Sequence, residues 1–290
     1  MSIDRLKEYI RKVEGLRHGW ENYDELEKRA NFIEENLLSF GLAVENQKFQ
    51  FHGKVYRNVI GTKKGSGEEK GHILLGAHYD AAWGSPGADD NASGVAVLLE
   101  VANVLKETNL RKSLEFVAFT LEEPQPHTIH FLIGSNNFVT KAKKSNKSYD
   151  AALILESVGY TDKTDRSQSV PALVRIQVPK TGDFLGVIAN RKSANLMRVF
   201  CDISNQHVSG LKVIPYKVPL SGRLIPETRF SDHASFWNYR YPAIMLTDTA
   251  MFRNPHYHTH RDRYETLDFD FIYSVTKAVA SVLVVMGNKE

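Results

Sequence analysis

This sequence has little cysteine and little net charge, and each of these absences limits the cellular compartments and partners that can be expected. The 290 residues include a single cysteine, Cys201, so no internal disulfide can form, which fits a reducing compartment. We expect Cys201 to be a small buried side chain on a helix. The formal net charge is only +3, which offers no electrostatic basis for a nucleic-acid or membrane-surface partner. The basic cluster Lys141, Lys143, Lys144 and Lys147 is interpreted as a solvated helix end.

Signals for export or for crossing a membrane are also missing. The first residues carry charges at helical spacing and lack the apolar core that an export signal requires. The most apolar late stretch, 278–286, is too short to span a bilayer. We therefore expect a cytoplasmic protein with no nucleic-acid and no membrane partner. Its oligomeric state is left open, a homo-oligomer included.

Two widespread enzyme motifs are absent as well. Gly65-Ser66-Gly67 is not followed by Lys and Ser or Thr at phosphate-loop spacing, so it is interpreted as a turn. No Gly-x-Ser-x-Gly nucleophile elbow occurs, which leaves a serine hydrolase without support.

The sequence does contain a regular alternation of strand and helix patterns. Two helices are predicted at 4–13 and 24–39, and a hairpin at 44–51 and 58–61 that turns through 65–67. The later patterns are, in chain order, strands 72–78, 114–121, 151–155 and 242–246, with helices 93–105, 136–144, 193–206, 232–237 and 269–286.

This alternation predicts an α/β fold, namely a three-layer α/β/α sandwich around a mixed, mainly parallel sheet. The length allows one large catalytic domain over 1–290. The polar segment 161–169 is predicted to be a surface loop.

Side chains suited to catalysis follow these strands at the points where the apolar runs end. His78, Glu122-Glu123 and Glu156 all occupy such positions. Open α/β sheets bind ligands beyond the carboxyl ends of their strands, so we expect these residues to share one site.

The His78-Tyr79-Asp80 motif predicts a supported metal ligand. Because strand side chains alternate between faces, His78 and Asp80 lie on the same side. Asp80 can then accept a hydrogen bond from the ring nitrogen that His78 does not use for metal, which fixes the tautomer. An isolated His-x-Asp is more often a surface pair, but the other motifs argue against that interpretation here.

Glu122 and Glu123 cannot both face one pocket from a regular strand. Pro124 limits the conformation of Glu123 and stops the ladder, so the backbone is expected to turn there. One carboxylate would then bind metal while its neighbour lies over the substrate.

Three histidines, His256, His258 and His260, are spaced by two residues. All three would share one face of an extended segment, so spacing alone leaves one or two of them as candidate ligands. His127 and His130 are interpreted as loop residues.

In order and spacing, these motifs closely resemble the co-catalytic di-zinc aminopeptidases of the aminopeptidase Y and bacterial leucyl aminopeptidase type. Glutamate carboxypeptidase and glutaminyl cyclase are relatives of that family. The matching blocks are His78-Tyr79-Asp80, Pro86 to Gly94, Glu122-Glu123, Gly134-Ser135, Leu155-Glu156, Ser231-Asp232-His233 and Tyr257-His258-Thr259.

The resemblance implies a site for two Zn²⁺ per chain, replaceable by Co²⁺ or Mn²⁺. His78 and Glu156 would hold one ion, Glu123 and His258 the other, and Asp90 would bridge both. Glu156 stands where several relatives carry aspartate.

The resemblance also implies roles beside the metals. Glu122 would act as the general base, Asp80 would orient His78, and the Asp90–Asn91 peptide bond would be cis. Tyr216, which shortly precedes Ser231, is a candidate for polarising the scissile carbonyl.

The implied function is a metal-dependent exopeptidase, foremost an aminopeptidase acting on peptide N-termini. A carboxypeptidase or dipeptidase of the same family is the alternative, and Arg223 or Arg229 could then hold the substrate carboxylate. A single-zinc glutaminyl cyclase and a non-catalytic binding module remain further alternatives. Retention of all five ligand positions argues against both.

Overall fold

One eight-stranded sheet forms the centre of the computed structural model, which describes residues 1–67, 71–126, 128, 130–174 and 177–289. Its strands are β1 (Ala43–Phe51), β2 (Lys54–Lys63), β3 (Gly71–His78), β4 (Ser113–Phe119), β5 (Ser148–Glu156), β6 (Phe184–Ala189), β7 (Lys212–Lys217) and β8 (Ala243–Thr247). The α-helices within these residues are α1 (Ile3–Val13), α2 (Tyr23–Ser39), α3 (Gly94–Leu105), α4 (Ile133–Lys144), α5 (Ala194–His207), α6 (His233–Asn238) and α7 (Phe269–Gly287).

The strand order across the sheet is β1-β2-β4-β3-β5-β8-β6-β7. The four central strands β4, β3, β5 and β8 are parallel. Antiparallel pairing occurs where β2 meets β1 and β4, and where β6 meets β8, while β7 lies parallel to β6. Because the central strands are parallel, their carboxyl ends meet at one edge of the sheet.

Apolar side chains of the central strands alternate between the two faces. On β5, Leu153 and Leu155 enter the larger core cluster, and Ile154 enters the smaller one on the other face. Helices α1, α2, α3, α5 and α7 complete the larger cluster, whereas α4 and α6 complete the smaller one. The predicted three-layer α/β/α architecture is confirmed.

The last helix, α7, is longer than the apolar stretch that the sequence pattern singled out. By length and composition it could cross a membrane, but 50% of its apolar window is buried inside the protein. Its Ile272, Val279 and Leu283 belong to the larger core cluster. In this fold α7 is therefore a core helix that covers the sheet.

The first hairpin turns at a different place from the one predicted. Strands β1 and β2 are joined by His52 and Gly53, whose φ angles are 44° and 79°. Two consecutive positive φ values are typical of a two-residue hairpin turn, in which glycine is favoured. The predicted turn at 65–67 instead follows the end of β2.

Two strands, β6 and β7, were not predicted. β7 contains Pro215, which argues against a central strand, and the structure places it at the sheet edge, where proline is tolerated. Cys201 is buried on α5 as expected. Of the basic cluster, Lys143 and Lys144 are exposed, but Lys147 forms an ion pair with the buried Glu115.

Candidate metal centre

The carboxyl ends of the parallel strands deliver ionisable side chains to one buried point. β3 ends at His78 and β5 ends at Glu156. After β4 the chain turns at Leu121, whose φ is 50°, and this turn directs Glu122 and Glu123 toward the same point. The backbone thus turns before the glutamate pair, not at Pro124 as expected. All four ionisable side chains are buried.

Two groups of three ligands meet at Asp90. Nε2 of His78 lies 3.1 Å from Oδ1 of Asp90 and 3.5 Å from Oε1 of Glu156. Nε2 of His258 lies 3.1 Å from Oδ2 of Asp90 and 3.2 Å from Oε2 of Glu123. Within each group the ligand atoms lie within 4.8 Å of one another. Each oxygen of Asp90 faces a different group, so this carboxylate can bridge two cations.

Unpartnered polar atoms on these side chains favour a bound cation. Nε2 of His78, Oδ1 of Asp90, Oε1 of Glu123 and Oε2 of Glu156 are buried without a hydrogen-bond partner among the described residues. Buried polar atoms are almost always partnered, and a cluster of unpartnered nitrogen and oxygen atoms facing one another is typical of a metal site. Imidazole and carboxylate ligands together suit zinc.

The charges in this cluster shift one another strongly. Burial, together with the charges of Glu156 and Glu123, raises the pKa of Glu122 well above its usual range. Burial also raises the pKa of Glu156 to about 7. The pKa of His258 is also raised, to about 11, because the effect of the carboxylates of Glu123 and Asp90 outweighs burial, which alone would lower it. A divalent cation bound among these carboxylates and imidazoles could take the place of the shared protons.

Asp80 holds the glutamate pair in place. Its Oδ1 accepts a hydrogen bond from the N–H of Glu122 and its Oδ2 accepts one from the N–H of Glu123, both at 3.1 Å. Oδ1 also lies 3.4 Å from Nδ1 of His78, which is the neighbour the sequence predicted. The sequence did not reveal that Asp80 also fixes the backbone of both glutamates.

Asp262 holds the aspartate pair in the same manner. Its Oδ1 accepts from the N–H of Asp89 at 2.8 Å, and its Oδ2 accepts from the N–H of Asp90 at 3.1 Å. The side chain of Asp89 turns away from the cluster and accepts from the N–H of Gly159 and the amide of Asn254, both at 2.8 Å. Sequence reasoning missed Asp262, whose only signal was its position shortly after His258.

The segment before Asp90 is fixed by a buried arginine and a glycine. Arg17 is fully buried and donates to the carbonyls of Tyr79 and Gly87, both at 2.8 Å, and to that of Pro86. A Cβ on Gly87 would lie 2.3 Å from the carbonyl oxygen of Asp90, so no other residue fits. The Asp90–Asn91 peptide bond is cis, as the resemblance implied.

Of the late histidines, only His258 reaches the cluster. The segment is not extended, because it turns at His258, whose φ is 57°, and the argument from a shared face does not apply. His256 and His260 take no part in either ligand group. His130 is exposed, and His127 lies outside the described residues.

A mostly apolar pocket opens beside Glu156 and Tyr257. Tyr216, on β7, lines this pocket and is half-buried, and burial raises its pKa. Arg229 lines a neighbouring groove instead, where it donates to the carbonyl of Ser221 at 2.6 Å and to Oδ1 of Asn238 at 2.7 Å. Arg223 is exposed.

Solved structures of low sequence identity share this fold. The LapA aminopeptidase of Legionella pneumophila superposes with a TM-score of 0.75 at 18% identity, over 99% of this chain and 72% of that one. The glutaminyl cyclase of Porphyromonas gingivalis superposes with a TM-score of 0.75 at 21% identity, over 98% of both chains. The same fold therefore occurs in a peptidase and in a cyclase.

Sequence comparison is more specific. The chain is 32% identical over 273 residues to the uncharacterized protein YfbL of Escherichia coli K12, covering 91% of this chain and 81% of that protein. It is 30% identical over 241 residues to a probable leucine aminopeptidase of Trichophyton verrucosum, covering 78% of this chain and 55% of that protein. The chain thus spans about half the length of that fungal relative. The model of peptidase family M28 matches residues 58–283, and the protein belongs to this family.

Proposed function

We propose that the protein is a two-metal aminopeptidase, which removes residues from the N-termini of peptides. The observation that carries this proposal is the position of Asp90 between two complete ligand groups, with Glu122 beside them. The name of the fungal leucine aminopeptidase supports the same activity.

Two Zn²⁺ ions per chain fit the ligand groups. His78, Asp90 and Glu156 would hold one ion, and Asp90, Glu123 and His258 would hold the other. Bound there, such ions polarise a carbonyl and lower the pKa of water. Co²⁺ or Mn²⁺ can replace zinc, since nitrogen and oxygen ligands accept several divalent metals.

Glu122 is the proposed general base. Its Oε2 lies 3.9 Å from Nε2 of His78, at the edge of the cluster, and its backbone is fixed by Asp80. From there its carboxylate can take the proton of the attacking water and deliver it to the leaving amine.

The pocket beside Glu156 is the proposed binding site for the substrate's first side chain. Tyr216 lies in its wall and is kept as the candidate that polarises the scissile carbonyl. No Lys or Arg lines this pocket within the described part of the chain. The lack of a described cation for a substrate carboxylate favours an aminopeptidase over a carboxypeptidase or dipeptidase.

A panel of aminoacyl-p-nitroanilides, free and N-acetylated, tests this proposal on chelated and zinc-restored protein. We expect zinc-dependent release from the free-amine substrates only. Metal content measured in parallel should reach two ions per chain. Preference for N-acetylated dipeptides would point to a carboxypeptidase or dipeptidase. One bound ion with pyroglutamate formation from glutaminyl peptides would point to a cyclase.

We also propose a cytoplasmic location and a single domain over 1–290. The lone thiol of Cys201 is buried and its pKa is raised by burial to about 11, which suits a protein without disulfide chemistry. Cell fractionation with an antibody tests the location, and its recovery from an extracytoplasmic fraction would contradict it.

A further inference from the structure

An acidic residue lines the otherwise uncharged wall of the substrate pocket. Apolar side chains, among them Phe184, Ile188 and Met245, form most of that wall. Among the described residues that line it, the only carboxylates are Glu156, which belongs to the metal cluster, and Glu227. The proposed aminopeptidase reaction makes no use of Glu227.

The turn that carries Glu227 is firmly held. It is the 3₁₀ turn Pro226–Arg229, which leads directly to Ser231 at the edge of the metal cluster. The carbonyl of Thr228 lies 2.9 Å from Nε2 of the buried His233. The guanidinium of Arg229 donates away from the pocket, to Ser221 and Asn238. Glu227 therefore keeps its place without help from a bound ligand.

Within the described residues, the carboxylate of Glu227 has no ion-pair partner. The residue is half-buried, and no ion pair or side-chain hydrogen bond to it occurs in the part of the chain that the structure describes. Its neighbour Arg229 is committed to other partners. A half-buried carboxylate beside apolar side chains can pair with a cation that a ligand brings.

We propose that Glu227 makes this pocket a binding site for N-terminal lysine and arginine. The long aliphatic stem of such a residue would pack on the apolar wall, and its cationic head would pair with Glu227. This inference rests on the proposed aminopeptidase function, and it adds the substrate class of the same site.

Lysyl and norleucyl p-nitroanilides provide the matched test, because their side chains differ only in the terminal ammonium group. In the zinc-loaded protein, Glu227→Gln should lower kcat/KM for the lysyl substrate about tenfold and change the norleucyl value less than twofold. Glu35→Gln, which removes the same charge from the exposed face of α2, should change neither. The retained norleucyl activity shows at once that the variant is folded.

Two results would overturn the inference. An equal loss on both substrates would mean that Glu227 contacts the shared α-amino group or only supports the turn. Unchanged kcat/KM values for both substrates would mean that the carboxylate does not reach the substrate.

Calorimetric binding separates this inference from the proposed activity. The tripeptides Lys-Ala-Ala and norleucyl-Ala-Ala are titrated into Glu122→Gln protein and into the Glu122→Gln, Glu227→Gln double variant. Tighter binding of the lysyl peptide that is lost in the double variant supports the role of Glu227, even if no peptide is cleaved. Equal binding of the two peptides by Glu122→Gln protein contradicts it.

Discussion

The two acidic pairs of the metal centre, Asp89-Asp90 and Glu122-Glu123, are held alike and used differently. In each pair both backbone N–H groups donate to one buried carboxylate. Asp262 accepts them from the aspartate pair, and Asp80 accepts them from the glutamate pair. Asp262 and Asp80 thus fix the backbone of the two pairs. Neither of them belongs to the two ligand groups that contain Asp90.

The difference between the pairs lies in the direction of the side chains. Asp89 turns to Gly159 and Asn254, so only Asp90 reaches the cluster. Both Glu122 and Glu123 reach the cluster, because the chain has already left the regular strand at Leu121. One pair therefore supplies a bridging ligand, and the other supplies a ligand and a base. Two adjacent acids in a sequence do not reveal how many of them will face a site.

Substituting the two glutamates one at a time should give the largest effect on activity. Glu122→Gln removes the proposed base and should lower kcat about 10³-fold, within the range for general acid–base catalysis. Its metal content should stay near that of the wild type, because Glu122 lies outside both ligand groups that share Asp90. Glu123→Gln should instead lose metal and regain part of its activity in excess zinc. Assays with parallel mass-spectrometric metal analysis check this, and a Glu122→Gln enzyme that keeps a tenth of its activity would contradict it.

Substituting the two aspartates one at a time should affect metal binding in one variant and folding stability in the other. Asp90→Asn should bind little of either metal after desalting, because both groups depend on Asp90. Asp89→Asn should keep its metals but lose about 1–3 kcal/mol of stability, since its NH₂ group would face one of the two N–H donors from which Asp89 accepts. Metal analysis and denaturant unfolding measure the two outcomes. Equal metal loss in both variants would show that the pair acts as a unit.

Much of this centre follows from the sequence, because apolar strands end in a predictable place. The ends of β3 and β5 were predicted at or near His78 and Glu156, and parallel pairing brings such ends together. Metal ligands at the ends of strands can thus be predicted from the hydrophobic pattern of the sequence. The position of Glu122-Glu123 at a strand end was predicted as well, whereas Asp89-Asp90 was assigned only through its resemblance to a family motif.

The parts that could not be predicted depend on backbone conformation and on long-range contacts. Asp262 binds backbone N–H groups, and such a contact leaves no motif in the sequence. His258 could not be chosen over its neighbours, because the chain is turned there and not extended. β7 was missed since its Pro215 is compatible only with a sheet edge, and edge position is not visible in a local pattern.

The two supporting carboxylates should have intermediate effects that differ in kind. Asp262→Asn and Asp80→Asn each leave one backbone N–H without an acceptor, and either change should weaken zinc binding about 10–100-fold. Asp80→Asn should also lower kcat at saturating zinc, because Asp80 orients the backbone of Glu122. Asp262→Asn should recover nearly full kcat once zinc is saturating. Zinc titration against a chelating dye, followed by assays at saturation, distinguishes the two, and identical kcat losses would refute this division.

The smallest effect concerns the pH dependence of unfolding in the metal-free protein. Burial, followed by the charge of Asp89, raises the pKa of Asp262 to about 8, whereas an unfolded aspartate titrates near pH ~4. Between these pH values the native state holds a proton that the unfolded state releases. The contribution of Asp262 to the free energy of unfolding should therefore be most favourable below about pH 4. It should fall as pH rises toward 8, by at most about 1.4 kcal/mol per pH unit.

Asp262→Asn tests this contribution because asparagine cannot ionise. Urea unfolding of chelated wild-type and Asp262→Asn protein between about pH 5 and pH 8 should give a shallower loss of stability with pH in the variant. Other buried acids, such as Glu156, titrate in both proteins, so the difference between the two slopes belongs to Asp262. Coincident slopes would mean that Asp262 stays ionised in the metal-free protein. The aspartate pair would then be held by a charged carboxylate even without metal, and the N–H groups of the pair together with the buried guanidinium of Arg17 would balance that charge.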